Sequence, residues 1–377
     1  MPDPKSLGYR MPAEWEPHEG TWLSWPHSPR SWAQNFGPIP SVFVKIVGGL
    51  CEFEKVHICV ANELSKQGVE RMLREAKVDL AAVSFHIVAT NDAWARDHGP
   101  IFIVKDQPAT RSNPALFPVE TEESLRTVEA AASARLAIID WKFNSWGEKY
   151  HPWDDDDAVP ERVAEILRLP CFHPRMVLEG GSIDVNGKGS LLTTEAVLLN
   201  PNRNPSMSRK QIESRLDEYL AARNVIWLGG GIAGDDTDGH VDDLARFVNE
   251  RTVLAVVEED PEDVNYKALR ENFERLQGAQ DQEGNKFELI KLPTPGKVLR
   301  GGQNPAAAGE RLPASYANFF IGNGSVLAPV FGHENDRQAL GLLGDLFPGR
   351  KIIGIDCKDL VGGYGAIHCV TQQQPKG

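Results

Sequence analysis

Four separated segments carry residue types that can do chemistry together. The last of them, VGGYGAIHCVTQQQ, sets His368 and Cys369 just beyond a glycine-rich turn, where backbone can approach a ligand and a thiol can stand at the mouth of a site. The segment GGGIAGDDTDGHVDDLARFV packs Asp235, Asp236, Asp238, His240, Asp242 and Asp243 into nine positions after the apolar run VIWL. TNDAWARDHGPIFIV places Asp92, Trp94, Arg96, Asp97 and His98 before a strand-like run, and MVLEGGSIDVNGKGS puts Glu179 ahead of two glycines and a turn.

This inventory suits a planar cation. A guanidinium presents its N–H donors in a fixed fork and needs carboxylates opposing that fork, which Asp97, Glu179 and Asp242 can supply. Its carbon is a poor electrophile because the charge is delocalised, and a soft thiolate is a sensible nucleophile for it. On this reading Cys369 adds to the carbon, His240 gives the departing nitrogen a proton, and a thiouronium is hydrolysed by water that His240 deprotonates. His240 and Asp242 are expected on one face of an extended strand, and Trp94 can lie against the cation as an aromatic wall.

Other readings compete. Gly229, Gly231 and Gly234 form G-x-G-x-x-G after a strand, but no helix follows and two aspartates would repel a pyrophosphate. An EF-hand loop would need carboxylates where Gly234 and Ala245 stand. A metal held by His240 and Asp242 is the rival mechanism. For Asp92 to His98 the plain alternative is a turn that caps and packs, and for Glu179 a solvated hairpin. The run Asp154 to Asp157 reads as a solvated acidic loop before a helix.

Composition narrows the class. In 377 residues, 40 Lys and Arg stand against 53 Asp and Glu, a net charge of −13 that disfavours nucleic acid and anionic membranes and favours small cations. The cysteines (Cys51, Cys59, Cys171, Cys357 and Cys369) are odd in number and never spaced as CxxC, so a reducing compartment is expected. All but Cys369 read as structural. No signal sequence or long apolar run is evident, which predicts a cytoplasmic protein.

The elements that must position these residues follow an α/β pattern. Strands are predicted over 54–60, 83–88, 100–104, 136–140, 225–228, 252–257, 287–292, 325–330 and 351–355. Helices are predicted over 41–52, 63–76, 159–168, 208–222, 261–277 and 334–346, the last but one opening at Pro261. Residues 293–313 read as a long surface loop or lid rather than a domain boundary, so residues 1–377 are expected to form one domain. The pattern G-x-G-S-x-L occurs at Gly187 to Leu192 and again at Gly322 to Leu327, which suits either two repeated modules or two convergent hairpin turns.

From MPAEWEPHEGTWLSWPH through WARDHGP, LEGGSIDVNGKG and DDTDGHVDD to AIHCVTQQQ, the chain resembles the agmatine deiminase family, whose relatives include bacterial proteins labelled peptidylarginine deiminases. The resemblance implies a pentein fold, an α/β propeller of five ββαβ-type modules around a central site. It also implies hydrolysis of agmatine to N-carbamoylputrescine and ammonia on the way to putrescine, with peptidyl-arginine deimination as the alternative. It makes Cys369 the nucleophile, His240 the acid and base, Glu179 its partner, Asp97 and Asp242 the guanidinium clamps, and Asp236 a further substrate contact. Neither metal nor cofactor is implied, the partner is a small guanidinium cation, and a homo-oligomer stays open. Two departures from the plant-like branch, Asp238 for Asn and Gly365-Ala366 for Gly-Asn, bear on recognition of the substrate's tail. A non-catalytic polyamine-binding scaffold would have lost Cys369 or His240, and both are present.

Overall fold

One unit recurs through the chain: an antiparallel strand pair, a helix, and a third strand parallel to the second. The computed structural model describes residues 3–32, 35–106, 131–301 and 309–377. Its strands are β1 (His18–Ser24), β2 (Lys55–Val60), β3 (Val83–Ile87), β4 (Ile101–Val104), β5 (Leu136–Ile139), β6 (Cys171–Phe172), β7 (Asp184–Val185) and β8 (Ser190–Thr194). They continue with β9 (Asn224–Leu228), β10 (Ala245–Phe247), β11 (Thr252–Val257), β12 (Glu288–Pro293), β13 (Phe320–Ile321), β14 (Ser325–Val330), β15 (Lys351–Asp356) and β16 (Gln372–Pro375). The longer helices are α1 (Ile39–Cys51), α2 (Glu63–Glu75), α3 (Val159–Leu167), α4 (Arg209–Leu220), α5 (Tyr266–Gly278) and α6 (Asp336–Leu346).

Five sheets result, in the orders β4-β5-β6, β7-β8-β9, β10-β11-β12, β13-β14-β15 and β16-β1-β2-β3. In each, the first two strands are antiparallel and the next is parallel. The helices α3, α4, α5, α6 and α1 supply the crossovers, as parallel neighbours require. The five-module pentein plan expected from the resemblance is therefore met. Its fifth module is split across the termini, because the C-terminal β16 pairs with the N-terminal β1. Both G-x-G-S-x-L segments are the hairpin turns of corresponding modules, β7 to β8 and β13 to β14, which favours the repeat reading over coincidence.

The local chemistry is ordinary. Asn62 caps α2 by accepting from the Ser65 N–H at 2.9 Å, and Gln211 Oε1 reaches back to the Ser208 N–H at 2.8 Å at the start of α4. On α1, Val42, Phe43, Ile46, Val47 and Leu50 recur at helical spacing and are buried.

Every predicted long element exists, with ends moved by a residue or two except at α5. That helix begins at Tyr266 rather than Pro261, because residues 261–265 form turns in which Asp263 accepts from the Asn265 N–H. Asp154–Asp157 is a helical turn, not a solvated loop, and Asp156 within it is 3% exposed. Of the segment 293–313, residues 302–308 lie outside the described residues. Its stem is held by a bridge between Leu299 and Arg311 and by the Arg300–Glu310 ion pair at 2.7 Å.

Candidate active site

Each module sends a short turn toward the same place just before its first strand. The helical turn Ala95–His98 precedes β4 and carries Asp97, and the 3-10 turn Gly180–Ser182 follows Glu179 before β7. His240 opens the 3-10 turn Val241–Asp243 before β10, and His368–Val370 carries Cys369 before β16. Before β13 stands Asn318, which is fully buried. These turns pack on one another, so residues far apart in sequence meet.

Gly181 forms the point of convergence. A Cβ there would lie 2.6 Å from His240 Nδ1, 2.8 Å from Asp97 Oδ1 and 3.1 Å from Asp242 Oδ2, so only glycine fits. Asp97 accepts from the Gly181 N–H at 3.0 Å and, through its other oxygen, from Trp146 Nε1 at 2.9 Å. His240 Nδ1 stands 3.7 Å from Asp97 Oδ1, beyond hydrogen-bond length. Asp242 Oδ2 accepts from His368 Nδ1 at 2.7 Å and lies 3.8 Å from Cys369 Sγ. Among the described residues, Glu179 Oε2, Asp242 Oδ1 and both ring nitrogens of His240 are buried without a hydrogen-bond partner. Unpaired buried polar atoms are costly, and four on three neighbouring side chains mark a place built for a polar guest.

The expected strand carrying His240 and Asp242 is not there. Residues 241–243 turn in a 3-10 helix and β10 starts only at Ala245, so the two side chains converge through the turn rather than through strand alternation. Glu179 is not hydrogen-bonded to His240. Its Oε1 accepts from Arg203 Nε at 2.5 Å, and Arg203 also holds Asp238 at 2.7 Å. Among the described residues no group of three or more His, Cys, Asp or Glu side chains is arranged to hold a metal ion.

Electrostatics oppose one another here. Burial pulls the His240 imidazole down, but Asp97, Asp242, Glu179 and Asp235 outweigh it and hold the ring above its ordinary value. Burial pushes the Asp97 carboxyl up against the pull of His240. Burial also acts on Asp242, yet His368 overcomes it and keeps that carboxyl low. The Cys369 thiol is pushed well above its usual range by burial and by Asp242, Asp243 and Asp97. Asp243 is raised well above its range by burial and its acidic neighbours.

Cys369 and Asp97 line a cavity of about 290 Å³. Trp94 lines it, packs on Trp32 at 5.0 Å between ring centres, and donates to Ser31 Oγ at 3.3 Å. The wall also contains Asp92, Tyr150, Asp156, Asp236 and Tyr364, with Arg300 and Glu310 from the stem of the 293–313 segment. Asp236 accepts from Tyr150 Oη, whereas Asp235 and Asp238 are tied into their own loop by Thr237 and Arg203. Glu14, Asn318, Arg203, Trp146 and Asp156 were not foreseen. Glu14 lies in the first segment that carries the resemblance, MPAEWEPHEGTWLSWPH, but was given no role there, and Trp146, Asn318 and Arg203 were not singled out. The corresponding module position was the one available signal for Asn318.

Four of the five ββαβ modules bring a thiol, an imidazole and three carboxylates into one buried cluster, the fifth adds Asn318, and fold and site together define a pentein enzyme. The family model described as Porphyromonas-type peptidyl-arginine deiminase matches residues 10–375, and the chain belongs to that family. The chain is similar to the agmatine deiminase of Medicago truncatula, 37% identical over 99% of this chain and 98% of the relative. It is likewise similar to that of Pseudomonas aeruginosa (strain LESB58), 34% identical over 99% and 97%. The solved agmatine deiminase of Enterococcus faecalis superposes with a TM-score of 0.86 at 34% identity, covering 100% of this chain and 98% of that one. A Cys-to-Ser variant of the C. jejuni agmatine deiminase with substrate bound does so with a TM-score of 0.81 at 30% identity, covering 98% and 97%. Among the described residues no helix is long and apolar enough to cross a membrane.

Proposed function

We propose that the protein is an agmatine deiminase, hydrolysing agmatine to N-carbamoylputrescine and ammonia through a thiouronium on Cys369. The observation that carries this reading is the set of buried, unpaired atoms, Glu179 Oε2, Asp242 Oδ1 and the His240 nitrogens, with Asp242 itself 3.8 Å from the Cys369 sulfur. A guanidinium supplies the donors that the two carboxylate oxygens lack, and its charge offsets the carboxylates that hold the thiol up. Binding therefore favours the thiolate just where the electrophilic carbon arrives.

Guanidinium binding releases the Cys369 proton to solvent, and Sγ bonds to the guanidinium carbon while His240 keeps its own proton. His240 then protonates one terminal nitrogen, the C–N bond breaks and ammonia departs. Water, giving a proton to His240, adds to the same carbon; the C–S bond breaks, the thiol is restored and a ureido product remains. Asp97 and Asp242 orient the fork and Trp94 flanks it. Asp236 offers negative charge to the distal ammonium, and Asp92 and Asp156 lie on the same wall. Treating residues 1–377 as one domain is supported by the pairing of the two chain ends in one sheet.

Ammonia release from agmatine, arginine and an arginine-containing peptide, each with excess EDTA and with a Cys369→Ala control, tests the proposal. Release chiefly from agmatine, unaffected by chelator and lost in the variant, is expected. Release chiefly from the peptide would move the assignment to peptidyl-arginine deimination, and chelator sensitivity would bring back the metal mechanism.

A further inference from the structure

Glu14 lies in the segment before β1, 82 or more residues from each of the groups that meet its carboxylate, and is 7% exposed. Four groups converge on its two oxygens. Oε1 accepts from Arg246 Nη2 at 2.9 Å and from the Ile321 N–H at 2.8 Å. Oε2 accepts from Arg96 Nη2 at 3.1 Å and faces His368 Nε2 at 2.8 Å. On its other side, His368 Nδ1 faces Asp242 Oδ2 at 2.7 Å. A carboxylate accepts and does not donate, so a ring carrying both protons satisfies both contacts at once. The result is a continuous buried chain, Glu14 to His368 to Asp242, ending 3.8 Å from Cys369 Sγ.

We propose that Glu14 is a positioning residue for the reaction: through His368 it fixes Asp242 so that Oδ2 is occupied and Oδ1 is presented to the substrate's guanidinium. Arg96 and Arg246 keep Glu14 ionised and in place, and they join it to the modules that carry Asp97 and Asp242. Without the Glu14 carboxylate, His368 loses the acceptor that pins its far nitrogen, and the ring is free to turn away from Asp242. The hydrogen bond from Asn318 Nδ2 to the Cys369 sulfur does not involve Glu14 and stays in place. What is lost is recognition of a cation beside the thiol.

This rests on the guanidinium reading of the site, and the test separates the two. Cys369 is alkylated with 2-chloroacetamidine, a planar cationic probe, and with iodoacetamide, its neutral counterpart, in the wild type and in Glu14→Gln. The wild type is expected to prefer the cationic probe strongly, and Glu14→Gln to lose that preference by about tenfold while its iodoacetamide rate changes less than threefold. An equal loss for both probes, or an unchanged preference with only a lower melting temperature, would show a purely structural role and overturn the proposal. Should Glu14→Gln fail to fold, His368→Gln is read in the same way. A wild type with no preference for the cationic probe would instead contradict the guanidinium reading, whatever the variant does.

Discussion

Asn318 Nδ2 donates to Cys369 Sγ at 3.1 Å, while Asn318 Oδ1 accepts from the backbone N–H groups of His368 at 2.9 Å and Cys369 at 3.3 Å. The side chain thus holds the nucleophile by its sulfur and by the turn that bears it. Its remaining Nδ2 proton reaches Asp243 Oδ1 at 3.1 Å. The module that lacks a candidate for the chemistry itself supplies the support.

Asn318→Ala should therefore slow turnover rather than weaken substrate binding. Loss of hydrogen bonds to a buried thiol and to two amides costs about 1–3 kcal/mol, which corresponds to a drop in kcat of roughly 5- to 150-fold. Steady-state ammonia release measures it. A rise in KM with kcat unchanged would contradict the positioning assigned to Asn318.

The free thiol is predicted to be sluggish. Burial and the surrounding carboxylates hold Cys369 well above the ordinary thiol range, so the thiolate is scarce at pH 7 and its population grows only at higher pH. Iodoacetamide labelling of the unliganded protein should rise with pH without levelling off near pH 9. A plateau below pH 8 would mean that the thiol is activated before substrate arrives.

Asp156 is expected to weaken the fold at neutral and alkaline pH. Burial lifts its carboxyl from 3.8 to about 7. Because the folded-state value is the higher, Asp156 contributes its full stability below about pH 4 and loses it as pH rises through 7. A difference of about three pH units corresponds to roughly 4 kcal/mol at most. Asp156→Asn can still accept from the Asn91 N–H through its amide oxygen, so its melting temperature should exceed the wild type's at pH 8 and approach it at pH 5. Thermal unfolding at both values decides this, and equal shifts would sink it.

Arg203 is predicted to be indispensable to the floor. It is 4% exposed and bonded to Glu179, Asp238 and the Thr237 carbonyl. Arg203→Met leaves Glu179 buried without its counterion, a loss of about 3–5 kcal/mol of stability. Adding Glu179→Gln should recover part of it. Chemical denaturation of both variants tests the coupling, and a single variant as stable as the wild type would contradict it.

Much of the fold was legible because most of the parallel strands are largely apolar runs of five or six residues next to amphipathic helices, as with Thr252–Val257 followed by α5. The strands for which no range was predicted are of two kinds, although the G-x-G-S-x-L turns had marked the β7–β8 and β13–β14 hairpins. β6, β7, β10, β13 and β16 are two to four residues long, too short for any period to show. The longer β1 and β8 are buried almost throughout and show no alternation of apolar and polar residues. Site residues were legible where glycines and clustered charges flank them, as at Glu179 and His240. Asn318 and Glu14 were not, because their roles depend on modules closing over one another, a relation that leaves no spacing in the chain. The extended reading of His240-Val241-Asp242 failed for a related reason: the turn before each hairpin, not the strand, delivers the side chain.

The most direct test is intact-mass and peptide analysis of protein mixed with agmatine and quenched in acid within milliseconds to seconds. A transient adduct is expected on the peptide containing Cys369, heavier by one agmatine less one ammonia, that forms and decays at rates able to support turnover. Ammonia released at the full rate with no adduct at Cys369, or with an adduct on another cysteine, would contradict it.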